Sequence, residues 1–504
     1  MSSKYVKRIL DARVYDLAVE TPLDDAPLIS ERMQNRILLK REDLQAVFSF
    51  KIRGAYNKLL QLDEKQRGIG VVAASAGNHA QGLAMAAKHL GIRATIVMPT
   101  TTPQIKVAAV KKFGAKVLLE GDSYDEAAAL AEKLVVEKRL IYISAYDDVD
   151  VIAGQGTVAM EVLRQHPQTI DAVFIPVGGG GLCAGMAAYI KYVRPDIRIV
   201  AVEAEESACL HAAMKAGRRV SLAPVGIFAD GVAVAKVGKE TWSVLKDTVD
   251  EVVTVTTDEI CAAIKDIFED TRSIAEPAGA LALAGTKKYI GEKRCINETH
   301  IAVVSGANTN FDRLRYISER TEIGEKREAI FAVTIPEAPG SYRKFCALLG
   351  RRAITEFNYR HTNNKDAHIF VGLQISPDGN DRQDIVKKLE SHHYSVIDMT
   401  DNEMAKMHIR YMVGGHAPDV ENEILYRFEF PERPGALLQF LTRLAGNWNI
   451  SLFHYRNHGS AFGRVLVGMQ VPEGEREQFE ALLQDLNYNY WNETDNEAYA
   501  CFLN

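Results

Sequence analysis

The chain has 504 residues, 47% of them hydrophobic and 25% charged, with a net charge of −6. That length predicts roughly three domains, and the composition is that of a soluble globular chain, not a disordered one. The near-balanced charge leaves no footprint for nucleic acid or an anionic membrane, so small-molecule chemistry is expected.

In chain order, MSSKYVKRILDARVYD at the N-terminus lacks the apolar core of a secretory signal. Six scattered cysteines without a C-x-x-C pair predict reduced thiols, and with that a cytoplasmic setting. The first chemical feature is Ser49-Phe50-Lys51-Ile52-Arg53-Gly54-Ala55. Phe48, Ile52 and Ala55 are its apolar positions and Phe50 flanks the amine of Lys51. A partly desolvated lysine has a lowered pKa and becomes a usable nucleophile.

From Gly68 to Gly306 short apolar runs alternate with Ala-rich helical patterns. Val71–Ala74, Ala94–Met98, Lys116–Leu119, Ala172–Val177, Ile197–Val202 and Ile301–Val304 read as buried strands. Gly82–Leu90 and Asp125–Val136 read as helices, and the alternation predicts a mostly parallel sheet covered on both faces. The loop Ser75-Ala76-Gly77-Asn78-His79-Ala80-Gln81-Gly82 joins a strand to a helix, and its amides suit a carboxylate. The uncharged stretch from Ala172 to Ile190 holds Pro176 and Gly178-Gly179-Gly180-Gly181, which favours strand, glycine loop and helix over a membrane span. Such a loop presents amides to a phosphate. It also satisfies the dinucleotide fingerprint at Gly179-x-Gly181-x-x-Ala184, with Glu203 ending the next strand, so phosphate binding alone leaves the ligand open. Ser305-Gly306-Ala307-Asn308 ends a strand at the edge where α/β sheets bind ligands.

The charged segment Thr321–Glu328 reads as a linker between a catalytic region, 1–320, and an internal repeat. Ile335-Pro336-Glu337-Ala338-Pro339-Gly340 returns as Phe430-Pro431-Glu432-Arg433-Pro434-Gly435 at an offset of 95 residues. Ile354–Arg360 and Val371–Ile375 return as Ile450–Arg456 and Val467–Val471 at an offset of 96. Each copy, 329–400 and 424–495, reads as a βαββαβ ferredoxin-like unit with second helices at Asp381–Leu389 and Glu475–Leu486.

Taken in order, Ser49–Gly54, Ser75–Gly82, Gly178–Leu182, Glu276-Pro277-Ala278-Gly279 and Ser305–Asn308 resemble the fold type II pyridoxal-phosphate enzymes, and among them the threonine/serine dehydratases. The repeat resembles the tandem ACT-like regulatory pair of the biosynthetic threonine deaminases. The resemblance implies an α/β two-lobed catalytic domain plus two α+β ferredoxin-like domains, with pyridoxal 5′-phosphate as cofactor. It implies that Lys51 holds the cofactor covalently and then acts as general base. Gly178, Gly179, Gly180, Gly181 and Leu182 would cradle the phosphate, Asn78 would meet the 3-oxygen, and Ser305 would face the pyridine nitrogen. Glu276 and Gly279 would line the ring pocket. Ser75, Ala76, Gly77 and Asn78 would hold the substrate carboxylate. L-Threonine, and with it L-serine, is the implied substrate, giving 2-oxobutanoate and ammonia at the entry to isoleucine synthesis. Isoleucine would inhibit and valine counteract, with Tyr359, Tyr455, Arg410 and Arg456 as effector contacts or, for the tyrosines, core-filling strand residues. A homotetramer and a monovalent cation near Glu203 are further expectations. A β-replacement enzyme on the same fold, an NAD-dependent oxidoreductase and a silent amino-acid sensor are the competing readings.

Overall fold

The strand–helix alternation of the first three hundred residues closes into two parallel sheets. In this computed structural model the chain is described apart from residues 1, 122–123, 224, 312, 351, 362–364, 377–379, 403–404, 407–408, 413–414, 416, 418, 432–435, 445–447, 457–461, 487, 497–498, 500–502 and 504. It divides into two compact units, Met1–Gly324 and Glu325–Asn504.

The first unit's strands are β1 (Leu23–Asp25), β2 (Arg36–Arg41), β3 (Val71–Ala74), β4 (Ala94–Met98), β5 (Lys116–Leu119), β6 (Ile141–Tyr142), β7 (Ala172–Pro176), β8 (Arg198–Ala204), β9 (Glu251–Val255) and β10 (Thr299–Val304). One sheet has the order β1-β2-β10-β7-β8-β9, the other β5-β4-β3-β6. Every neighbouring pair is parallel except β1–β2. β3, β4 and β5 fall on the residues expected, and β7, β8 and β10 shift at their ends by one or two. β7 reads Ala-Val-Phe-Ile-Pro and is buried throughout, as a strand covered on both faces must be. No helix among the described residues is long and apolar enough to cross a membrane. The uncharged stretch is β7, a glycine loop and the helix Gly181–Val193.

Two helices pack tightly behind the site. A Cβ on Gly54, in the helix Lys51–Leu60, would lie 2.7 Å from the Val151 carbonyl oxygen, and one on Gly154 2.6 Å from the Arg53 carbonyl oxygen. Glycine at these crossings lets the helices Lys51–Leu60 and Val149–Gln165 approach backbone to backbone. Ile52 and Ala55 are fully buried as expected, but Phe48 is 56% exposed. It takes a positive φ of 54° just before the helix, which turns its ring outward.

In the second unit both copies are βαββαβ. The strands are β11 (Glu328–Pro336), β12 (Ile354–Arg360), β13 (Asp366–Gln374), β14 (Ser395–Asp398), β15 (Glu423–Pro431), β16 (Asn449–Arg456), β17 (Phe462–Gln470) and β18 (Asn489–Asn492). Their order, β14-β11-β13-β12-β16-β17-β15-β18, is one continuous sheet of eight. The repeat spacing did not foretell this joint. β12 and β16 pair antiparallel, with Phe357 opposite Tyr455 and Tyr359 opposite Phe453, so each copy covers the other's open edge. The core runs across the joint, including Phe345, Phe357, Phe440 and Phe453.

The linker expectation needs correction. The helix Arg313–Gly324 contains Thr321 to Gly324, and Glu328 is already the first residue of β11. Thr321 and Ile323 are buried and Thr321 Oγ1 donates to the Ile317 carbonyl, so a charged stretch conceals an amphipathic helix end. Glu432–Gly435, the second copy's turn, lies outside the described residues.

Candidate active site

The C-terminal ends of β3, β7 and β10 bring three of the motifs to strand ends, where open α/β sheets place ligands. Lys51 opens the helix Lys51–Leu60. The neighbouring Ser49 makes a bridge to Gly306, and the Phe50 amide donates to the Ser305 carbonyl at 3.4 Å. These contacts tie the lysine to the end of β10. Its Nζ donates to the Ala145 carbonyl at 3.1 Å and lies 5.1 Å from the Phe50 ring centroid. Burial lowers its pKa to about 8 against the opposing pull of Glu276. At pH 8 an ordinary lysine of pKa near 10.4 would be neutral in only about one molecule in 250; a pKa near 8 makes that about half.

Opposite stands a buried polar chain. Asn308 Nδ2 donates to Asn78 Oδ1 at 2.7 Å, and Asn78 Nδ2 donates to Glu276 Oε1 at 2.5 Å. Burial, with Asp230 nearby, raises the Glu276 carboxyl to about 7. Ser305 is buried and its hydroxyl donates to the Ala278 carbonyl at 3.2 Å. Gly279 packs its Cα against the Gly306 carbonyl, with no room for a side chain. His79 Nε2 lies 3.0 Å from the Ile143 carbonyl, and burial followed by the Lys51 charge lowers its pKa to about 4, so it stays neutral.

The glycine loop tests whether a phosphate fits. Gly180 has φ 94° and precedes the helix Gly181–Val193. The backbone N–H groups of Gly178, Gly179, Gly180, Gly181 and Leu182 donate to no acceptor among the described residues. Side chains there would collide: a Cβ on Gly178 meets Val232 Cα at 2.9 Å, one on Gly180 meets Leu245 Cδ1 at 2.7 Å, and one on Gly179 meets the Tyr146 ring. Donors without acceptors at a helix N-terminus, walled so that only glycine fits, match a phosphate. Ser75–Asn78 forms a second such turn, in which the Gly77 amide reaches Ser75 Oγ at 3.4 Å and the amides of Ala76 and Asn78 have no acceptor among the described residues.

Glu203 is where the dinucleotide reading fails. Its carboxylate is buried and accepts the Leu210 and His211 amides at 2.8 and 2.7 Å, so it caps the helix Cys209–Ala216. Burial raises it to about 7.

Three contributors escaped sequence reasoning. Ala145 and Tyr146 follow the two-residue strand β6, and the short turn Asp230–Val232 brings Gly231 so close that a Cβ on it would lie 2.8 Å from Ala278 Cβ and 3.3 Å from Glu276 Oε1. Neither segment has periodicity or a motif; only the Asp-Gly pair in the second marks a turn.

In the second unit Tyr359 and Tyr455 are both buried. The Tyr359 hydroxyl donates to Glu337, which also accepts from Asn449 Nδ2 at 3.0 Å. Among the described residues, His361 Nε2 and Asn449 Oδ1 beside them have no hydrogen-bond partner. Arg410 is buried and donates to both Glu356 oxygens at 3.1 Å and to Glu328 at 3.4 Å. An effector carboxylate would compete there with two resident ones. Arg456 ends β16, and its side chain lies outside the described residues.

Residues 14–306 match the family model described as pyridoxal-phosphate dependent enzyme. Residues 319–409 and 414–503 match the C-terminal regulatory domain of threonine dehydratase. L-threonine dehydratase biosynthetic IlvA of Burkholderia multivorans is 54% identical over 100% of this chain and 99% of its own length. The Escherichia coli protein of the same description is 52% identical over 99% of this chain and 97% of its own. The processed form of threonine deaminase isoform 2 from Solanum lycopersicum superposes with a TM-score of 0.63 at 45% identity, covering 64% of this chain and 88% of that one. By site, fold and likeness, the chain belongs to the pyridoxal-phosphate-dependent enzymes, and within them to the biosynthetic threonine dehydratases with a C-terminal regulatory region.

Proposed function

We propose that this chain converts L-threonine, and with it L-serine, to the 2-oxo acid and ammonia, under feedback control by isoleucine that valine relieves. The observation that carries the reading is the desolvated Lys51 amine, its pKa near 8, in a unit that also holds the acceptorless amides of Gly178–Leu182. Pyridoxal phosphate, when bound, supplies an electron sink that acidifies the substrate's Cα–H. Gly178–Leu182 would hold its phosphate, Lys51 its carbonyl carbon, and Asn78 and Ser305 its ring edges.

The chain's own residues do the rest. Ser75–Asn78 amides hold the substrate carboxylate at the start of the helix Asn78–His89. Lys51 Nζ, neutral in a large share of molecules and held beside Cα, takes the α-proton. The β-hydroxyl leaves as water, and water re-enters when the nitrogen departs as ammonia, so threonine equals 2-oxobutanoate plus ammonia. Ser305 is a neutral hydroxyl and leaves the ring a weaker sink than a carboxylate would, which favours prompt loss of the β-substituent. Effector binding is supported by the polar group Glu337, Tyr359, His361 and Asn449, which suits an amino acid's ammonium and carboxylate. Tyr455 and Arg456 on β16 extend this proposal to the second copy, and Arg410, bound to Glu328 and Glu356 of the first, extends it within that copy. Cytoplasmic location and a homotetramer complete the reading.

Lys51→Ala is expected to abolish turnover with threonine and borohydride fixation of the cofactor while leaving the fold intact by circular dichroism. Dehydration at a near-normal rate in that variant would overturn the assignment.

A further inference from the structure

At the opposite end of β10 from Ser305 lies a cluster the dehydratase reaction does not use. Cys295, Glu298 and His300 each offer one ligand atom, and all three lie within 4.8 Å of one another. His300 is fully buried, and among the described residues neither ring nitrogen has a hydrogen-bond partner. A buried imidazole with both nitrogens unsatisfied is unfavourable unless something supplies the missing bond. Phe174 and Tyr289 pack edge-on to the ring at 5.6 and 6.4 Å, fixing its plane. His300 Nε2 is 3.7 Å from Glu298 Oε2. Ligands bound to one tetrahedral zinc at about 2.0–2.3 Å sit roughly 3.3–3.7 Å apart, so this separation already admits a shared ion.

We propose that Cys295, Glu298 and His300 form a binding site for a borderline-soft divalent cation of the zinc class, remote from the active site. A thiol and an imidazole disfavour magnesium and calcium, which take oxygen ligands. The segment is preorganised by Asn35. Its Nδ2 donates to the Cys295 carbonyl at 2.9 Å and its Oδ1 accepts the Glu298 amide at 2.9 Å. Arg198 Nη2 also donates to Glu298 Oε2, at 2.5 Å. A carboxylate oxygen carries two lone pairs, so Oε2 can accept from Arg198 and still meet the ion. The guanidinium favours the Cys295 thiolate, which burial and Glu298 otherwise oppose. A cleft of about 590 Å³ lined by Asn35, Arg36, Asn297 and Glu298 opens on the Glu298 side of the cluster. On binding, the S–H bond of Cys295 breaks, sulfur keeps the electron pair as the metal–sulfur bond, and the proton goes to water. No oxidant or reductant is involved. His300 and Ser305 are separated by five residues of extended chain, about 17 Å, so the ion touches neither substrate nor cofactor.

The test uses tag-free holoenzyme stripped with a chelator, equilibrated with zinc, desalted, and assayed for metal by mass spectrometry. Cobalt(II) serves as the optical probe. About one zinc per chain is expected, and cobalt should show sulfur-to-metal charge transfer in a tetrahedral ligand field. Cys295→Ser should abolish that band, and Cys295→Ser and Glu298→Gln should each weaken zinc binding at least about tenfold, the least that losing even an outer partner costs. Cofactor content and dichroism confirm that both variants fold. Absence of zinc from the wild type, cobalt binding without the sulfur band, or unchanged affinity in both variants would each overturn the proposal.

Discussion

Arg53 lies two residues from Lys51, fully buried, and its replacement should loosen the helix that Lys51 opens. Its Nε and Nη2 donate to the two Glu42 oxygens at 2.8 Å each, and its Nη1 and Nη2 donate to Glu161 at 2.5 and 3.0 Å. Lys40 Nζ donates to the same Glu161 at 2.6 Å, and all four side chains are inaccessible to solvent. Two cations balance two carboxylates. Burial alone would raise the Glu161 carboxyl, but Arg53 and Lys40 hold it below the usual range. In Arg53→Met one carboxylate is left without its counter-charge, and breaking a buried pair in this way costs about 3–5 kcal/mol. Against a total of roughly 5–15 kcal/mol that is a severe loss. The melting temperature should fall on the order of 10 °C, read by circular dichroism on the holoenzyme. Because the lowered carboxyl stabilises only above its unfolded pKa, the gap between wild type and variant should narrow as pH falls below about 4.5. Arg53→Lys should recover part of the loss only, since one ammonium cannot span two carboxylates as a guanidinium does. Adding Glu161→Gln to Arg53→Met restores charge balance and should return about 1–3 kcal/mol. If Arg53→Met melts within a degree or two of wild type, or the double variant loses the full sum of both singles, the network does not hold the helix as argued.

The other predictions concern the pocket and the effector site. Gly180→Ala places a side chain at φ 94° and against Leu245, so cofactor affinity by spectral titration should drop at least about tenfold; unchanged affinity would show that the amides are not the phosphate cradle. Glu276 has its folded pKa raised to about 7, so its neutral form adds stability below about pH 4.5 that is lost as pH rises through 7. Cofactor-free Glu276→Gln should therefore gain up to about 3 kcal/mol on the wild type between pH 5 and pH 8, and a pH-independent difference would refute the shift. Tyr359→Phe removes the hydroxyl that meets Glu337, and the isoleucine concentration for half-inhibition should rise roughly fivefold with uninhibited kcat unchanged; an unaltered inhibition curve would return Tyr359 to a purely structural role.

How much of this was legible before the structure depended on whether a residue's role is decided locally. β3, β4 and β5 were legible to the residue because short β-branched runs between turn residues have few other readings. β2 was missed because Lys40 and Arg41 look like surface in Arg-Ile-Leu-Leu-Lys-Arg, yet they are 0% and 4% exposed. Lys40 is neutralised by Glu161, 121 residues on, and Arg41 by Asp43 just beyond the strand, and a strand whose charges are neutralised outside it carries no apolar signature. The site divides the same way. Lys51, the Ser75 turn and the glycine loop each carry their function within a few residues of backbone, and the resemblance rested on them. Ala145, Tyr146 and Gly231 act through carbonyls, a ring face and close approach, which any of many residue types could supply in a different fold.

The repeat shows the same limit in another form. Spacing revealed two copies, and their shared bulges, between Ile354 and Glu356 and between Ile450 and Leu452, sit at equivalent positions. Opposite the bulges stand Gly372 and Gly468, where a Cβ would meet Thr355 Oγ1 in one copy and, at 3.0 Å, Ser451 Oγ in the other. Thr355 and Ser451 in turn donate to Glu328 and Glu423, so a local device was copied whole. The joint between β12 and β16 is not copied, because it exists only once, between copies. It also puts Asn449 of one copy on Glu337 of the other, so that neither copy alone holds the polar group around Tyr359. A ligand at that group would therefore sense the alignment of the two copies, and an effector that binds two arrangements of the joint unequally can shift the unit between them. Duplication followed by edge pairing is thus a physical route from two plain ferredoxin-like folds to one regulatory body.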